Sequence, residues 1–205
     1  MTETPPAPST RPASPDPDAP PRPPFADLLD QRTLDARTVL VFGPVTEALA
    51  ADVVRRLIAL DAAGDAPIDV IVSSPGGHVE SGDAIHDIVG FIRAPVTMIG
   101  SGWVGSAATH LFLAAPRERR VCLPNTRFLI HQPSSGVGGR ATDIAIQARE
   151  LVRARERIAA TIARATGRPL ERVLEDIERD RWMSADEAID YGLVSRVVAR
   201  RDALR

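Results

Sequence analysis

Lysine is absent from this 205-residue sequence, and all 25 basic residues are arginine. Set against 27 acidic residues they leave a formal net charge of −2. No basic stripe or polybasic run is present, so neither a nucleic-acid partner nor a membrane-surface partner is expected. Cysteine occurs once, at Cys122, which excludes a disulfide framework and a cysteine metal cluster and fits a reducing compartment. No apolar run approaches the roughly 18 residues of a membrane span. The start of the chain lacks the basic and apolar regions of a secretory signal, so the expected location is the cytoplasm. None of the four histidines is paired at zincin spacing, so no metal and no cofactor is expected.

Proline is concentrated at one end. Residues 1–24 hold ten prolines among Ala, Ser, Thr and Asp, a composition that cannot offset ordering entropy; a disordered tail is expected there. Composition changes at Phe25, and residues 25–205 are expected to form one globular domain. Phe25 to Leu29 reads as a short helix. Thr38 to Phe42 is a continuous apolar run, the pattern of a buried strand. Thr46 is a candidate N-cap for a helix whose apolar residues recur at Leu49, Val53, Leu57 and Leu60. A strand at Ile68–Val72, a helix at about 81–92, a strand at Val96–Ile99 and a helix from Ser106 to Leu113 follow. Short strands are expected around Val121 and at Arg127–Ile130. This alternation predicts an α/β domain with a mostly parallel sheet, in which ligands sit at the carboxyl ends of the strands.

Residues 141–165 read as one long helix with Ile144, Ala148, Leu151, Ile158 and Ile162 as its apolar members. Its flexible approach through Gly136 to Gly139 suits either a protruding subunit contact or a surface helix packed on its own domain. Pro169 opens a shorter helix. Ser184 with Glu187 forms a capping box for another. Gly192 ends that helix, and Leu193 to Ala199 reads as a last strand.

Four places carry candidate chemistry. Small residues cluster from Gly100 to Ala108 where a strand turns into a helix, so the Ser106 hydroxyl can be exposed and the next backbone N–H can meet an oxyanion. Read alone, Ser106 is first a helix N-cap serine in a small-residue packing site. Ser74-Pro75-Gly76-Gly77 ends a strand and offers free N–H groups, or is simply a tight turn. His131 follows the strand Phe128-Leu129-Ile130 at the edge where a general base belongs, or is a structural histidine. Asp180 can hold an imidazole in its productive tautomer, or can belong to a surface Arg/Asp network. His86 and His110 fall inside helices, and His78 adjoins the Gly-Gly turn.

Taken together these motifs resemble the proteolytic subunits of the Clp protease, from about residue 37 to 198. The likeness is carried by Ser74-Pro75-Gly76-Gly77, by Leu123-Pro124-Asn125-Thr126-Arg127 leading to Ile130-His131-Gln132-Pro133, and by Ala141-Thr142-Asp143-Ile144 with Ala148-Arg149-Glu150. Arg179-Asp180-Arg181-Trp182-Met183-Ser184-Ala185 and Tyr191-Gly192-Leu193 complete it. The resemblance implies a crotonase-like α/β fold with a protruding handle at about 134–165, and peptide-bond hydrolysis without a cofactor. It implies Ser106 as nucleophile, His131 as base and Asp180 as orienting acid, with the backbone N–H groups of Gly77 and Ala107 as oxyanion donors. It further implies two stacked seven-membered rings, homomeric or mixed, with Arg140, Asp143, Glu178 and Arg179 at oligomer contacts. The implied partner is a hexameric AAA+ unfoldase of the ClpX, ClpA or ClpC type that feeds in unfolded protein.

The sequence departs from the family at the nucleophile turn, where Gly102-Trp103-Val104-Gly105-Ser106-Ala107-Ala108-Thr109 stands for Gly-Gln-Ala-Ala-Ser-Met-Gly-Ala, with Trp103 at a wall of the cleft. Arg140 replaces a frequent Gln. Two other readings stand beside the peptidase: a weakly active or silent ring subunit that needs a sister subunit, and a crotonase-type enzyme acting on acyl-CoA thioesters. A Ser-Lys signal-peptide-peptidase relative has no lysine to use here.

Overall fold

The computed structural model describes residues 25–204 except 135 and 137; the Pro-rich segment 1–24 lies outside the described residues. The chain opens with α1 (Ala26–Asp35), then β1 (Thr38–Phe42), α2 (Glu47–Ala62), β2 (Ile68–Ser74), α3 (Val79–Phe91), β3 (Val96–Gly105) and α4 (Ala107–Phe112). It continues through β4 (Arg120–Cys122), β5 (Arg127–Ile130), α5 (Ala141–Thr166), α6 (Leu170–Asp176), β6 (Arg181–Met183), α7 (Ala185–Tyr191) and β7 (Arg196–Val197). The strand order is β1-β2-β3-β4-β7, every neighbour parallel, while β5 branches from the far end of β3 and carries β6 antiparallel to it.

Local chemistry explains most boundaries. The Thr46 hydroxyl accepts from the Leu49 N–H at 3.2 Å, and α2 then buries Ala50, Val53, Leu57 and Leu60 against the sheet. Ser184 and Glu187 bond each other's backbone in a reciprocal capping box, and Gly192, at φ 96°, ends α7 in the left-handed region. The core between the helices and the parallel strands gathers Val41, Val70, Val72, Met98, Phe112, Phe128 and Ile130, with the Phe112 and Phe128 rings edge-to-face at 5.5 Å. Arg120 is almost wholly buried; its guanidinium donates to the Ala165 carbonyl at 2.6 Å, next to the carboxyl end of α5, and burial pushes its pKa down to about 10.

Several expectations change. β1 is an edge strand, so the apolar run expected to be buried on both faces leaves Leu40 and Phe42 exposed. β3 does not stop at Ile99: the small-residue stretch continues as strand to Gly105, bending at Gly102, where φ is +62°. Its first half pairs with β4 and its second half with β5. α3 begins two residues before the expected start, with His78 at its N-cap. The last strand shrinks to Arg196–Val197.

α5 is 26 residues long. Its second half buries Ile158, Ala159, Thr161 and Ile162, whereas every residue from 141 to 150 is exposed. The helix therefore stands clear of its own domain at its start and packs onto it only after about half its length.

Candidate active site

Three neighbouring strands deliver three side chains. Ser106 follows the last residue of β3, His131 follows β5, and Asp180 precedes β6. The Ser106 hydroxyl donates to His131 Nε2 at 2.7 Å, and His131 Nδ1 donates to Asp180 Oδ1 at 3.1 Å. These distances lie in the hydrogen-bonding range that a proton relay requires.

Register explains why the histidine and aspartate meet. In the antiparallel β5–β6 ladder, Phe128 opposes Met183, Leu129 opposes Trp182 and Ile130 opposes Arg181. The next rung along opposes His131 and Asp180. Two further bonds hold that rung: the Gln132 N–H donates to the Ile177 carbonyl at 2.6 Å, and Gln132 Nε2 donates to the Glu178 carbonyl at 3.0 Å.

The serine sits under strain. Ser106 is the N-cap residue of α4, with φ 55° and ψ −124°, but its side chain makes no cap hydrogen bond, so it holds the cap position and leaves its hydroxyl for the imidazole. A non-glycine residue at positive φ persists only where its surroundings over-determine it. Here the Ser106 N–H is fixed by the Leu129 carbonyl at 2.9 Å, and the Thr109 hydroxyl, at 2.9 Å from the carbonyls of both Val104 and Leu129, locks the first turn of α4 to β5. The conformation turns the hydroxyl away from its own helix and toward the imidazole.

Ser74 to Gly77 closes the site from the other side. The Ser74 hydroxyl accepts from the Gly76 N–H at 3.1 Å. The Val45 N–H donates to the Gly76 carbonyl at 2.9 Å and the His78 N–H to the Val45 carbonyl at 2.8 Å. These two bonds flank Gly77 in a parallel bridge, which directs the Gly77 N–H away from Val45. Neither that N–H nor that of Ala107, the first residue of α4, meets an acceptor within the chain among the described residues.

The other expected residues divide. Arg140 is the N-cap residue of α5 and Asp143 lies in its first turn, both exposed and apart from the Ser–His–Asp cluster. Glu178 accepts from Arg155 at 3.0 Å, and Arg179 is exposed beside Asp180. His78 Nδ1 contacts the Ser81 hydroxyl at 2.8 Å. His86 and His110 stack at 4.8 Å, with His110 Nε2 on Asp83 at 2.8 Å and Arg157 on the same carboxylate at 2.7 Å. Among the described residues no group of His, Cys, Asp and Glu could hold a metal ion, and no helix is long and apolar enough to cross a membrane.

One residue of the surroundings was not expected. Asp176 has a buried side chain that takes Arg181 at 2.6 Å, Arg172 at 3.0 Å and the Tyr191 hydroxyl at 2.9 Å, so it holds β6 from below. The only advance signal is that Asp176 and Arg181 flank the Asp180 motif, and charged residues are frequent throughout that stretch.

An α/β domain that sets a strained serine, a histidine and an aspartate at the carboxyl edge of its strands has the form of a hydrolase. The chain belongs to the Clp protease family, whose profile matches residues 25–201, and it is thereby a peptidase of the proteolytic-subunit type. It is 54% identical over 175 residues to ATP-dependent Clp protease proteolytic subunit 3 of Rhizobium etli, spanning 85% of this chain and 90% of that one. It is 55% identical over 172 residues to proteolytic subunit 2 of Gluconobacter oxydans, spanning 83% of this chain and 77% of that one. Among solved structures, ClpP1 from Listeria monocytogenes superposes with a TM-score of 0.79 at 44% identity, covering 86% of this chain and 99% of that chain. The fold is that of the Clp proteolytic subunits, as the sequence motifs implied.

Proposed function

We propose that the chain is a serine-type endopeptidase in which Ser106 attacks a peptide carbonyl, His131 takes its proton and Asp180 stabilises the resulting imidazolium. The observation that carries this reading is the continuous Ser106–His131–Asp180 bond chain, at 2.7 Å and 3.1 Å. The tetrahedral oxyanion is received by the N–H groups of Gly77 and Ala107; one such donor is worth about 2.7–4 kcal/mol to the transition state. His131 then returns the proton to the leaving amine, the acyl-enzyme forms, and water hydrolyses it by the same relay. No step needs a cofactor.

The reading extends to assembly. The exposed first half of α5 is the handle through which two seven-membered rings stack, with Arg140 and Asp143 near its start and Glu178 and Arg179 at the ring contact beside the active site. A hexameric AAA+ unfoldase supplies unfolded chain, and ATP is consumed by that partner. The free, buried Cys122 suits a cytoplasmic protein. Residues 25–205 form the peptidase domain, with 1–24 as its tail.

A fluorophosphonate probe tests this directly. Under assembled conditions it should label Ser106 and fail on Ser106→Ala, and His131→Ala should slow labelling strongly. An assembled wild-type particle that takes no label defeats the reading and leaves a silent ring subunit. Turnover that survives His131→Ala and Asp180→Asn points instead to acyl-CoA chemistry.

A further inference from the structure

The Trp103 ring lies parallel to that of Trp182, with centroids 6.3 Å apart and an interplanar angle of 4°. The Arg127 guanidinium lies 4.4 Å above the Trp182 ring. These are the only two tryptophans in the chain. Trp103 comes from β3, three residues before Ser106; Trp182 comes from β6, two residues after Asp180; Arg127 comes from β5, the strand between them.

Strand alternation puts the stack on the site's own face. Val104, Phe128 and Met183 point into the core. Trp103, Arg127, Leu129 and Trp182 occupy the opposite face, and the same period of two continues to His131 on one strand and Asp180 on the other. β6 is three residues long and bonds only to β5, and an edge strand this short is poorly held by its ladder alone. Its anchors on the far side are Met183 in the core and Arg181 on Asp176. The Asp180 side chain is 64% exposed, and His131 is the one partner its carboxylate meets among the described residues. Its position is therefore set by the backbone of β6. On the catalytic face, what holds that backbone is Trp182, clasped by Trp103 reaching over β5 and by Arg127.

We infer that Trp103 is a positioning residue of the hydrolytic site: stacked on Trp182, it ties the strand that carries Ser106 to the strand that carries Asp180 and keeps that carboxylate opposite His131. The inference rests on the peptidase reading above.

The test compares assembled wild-type protein with Trp103→Ala, Trp103→Leu and Trp103→Phe on a fluorogenic peptide. Trp103→Ala is expected to lower kcat by about tenfold with KM within about twofold, because Asp180 acts in the transition state and not in substrate binding. Trp103→Phe, which keeps an aromatic face, restores most of the loss; Trp103→Leu, similar in bulk without that face, does not. Stacked tryptophans give an exciton couplet in circular dichroism, expected in wild type and gone in each variant, while native mass spectrometry should give unchanged assembly. If Trp103→Ala does not assemble, the Phe and Leu variants decide, with about tenfold between their kcat values expected. Equal kcat in those two, a rise in KM with kcat unchanged, or a wild-type protein without a couplet overturns the inference. Failure of the peptidase reading is told apart by wild-type protein that takes no fluorophosphonate label.

Discussion

Gly76 packs against Ser106 so closely that a β-carbon added to the glycine would lie 2.6 Å from the serine Cβ and 2.9 Å from the Ala107 nitrogen. The Ser74–Gly77 turn is thus the wall against which the serine is seated, and its glycines are required both for room and for backbone shape.

Gly76→Ala should therefore disable the site. Its φ of +95° disfavours any side chain, at a strain of about 1–3 kcal/mol, and the contact forces the two turns apart. A displacement near 1 Å is enough for about a hundredfold loss. Peptide turnover is expected to fall by at least that factor, with a lower melting temperature by calorimetry.

Asp180→Asn should lower kcat while leaving KM nearly unchanged. The loss should be smaller than the roughly 10⁴-fold seen where a triad aspartate is buried, because this carboxylate is largely exposed and water partly replaces it. Steady-state kinetics on a short peptide measures both constants.

Cys122 gives the protein a sensitivity to alkali. Burial pushes its thiol up to about 11. The folded state holds this proton more tightly than the unfolded chain, so the contribution is complete below about pH 9 and is lost as pH rises to about 11. It amounts to about 3 kcal/mol. Tyr191, whose hydroxyl is also pushed up by burial and by its bond to Asp176, adds a decline of the same sign above about pH 10. Urea melts from pH 8 to 11 should show stability falling with pH, and a shallower slope in Cys122→Ala.

Ile146→Asp should break assembly without unfolding the subunit. Ile144, Ile146 and Val152 are exposed apolar residues on the handle, and covering one such side chain contributes about 1.5–3 kcal/mol per subunit. Analytical ultracentrifugation is expected to show a smaller species at concentrations where wild type is fully assembled, with the circular dichroism in the helical region retained.

Local signals carried the sequence reading far. The Thr46 cap, the Ser184–Glu187 box and the strand Thr38–Phe42 depend on neighbours within a few residues, so spacing reveals them. Ser106, His131 and Asp180 were visible only as separate candidates until the ordered motifs were taken together. Their convergence rests on the β5–β6 register, which no local pattern encodes. The Gly-rich stretch after Ile99 looked like a turn because glycine weakens a strand signal, yet β5 recruits it into the sheet. The Trp103–Trp182 stack was illegible for the same reason: 79 positions separate the rings in the chain, and only the order of β3, β5 and β6 joins them.

Among the described residues, the ten at the start of α5 have no surface of their own chain to lie on. On the stacked-ring reading proposed above, a helix so placed completes its burial only by meeting another copy. On that reading dilution should act on the protein as a mild denaturant does on others, loosening the arm first and leaving the domain beneath it closed.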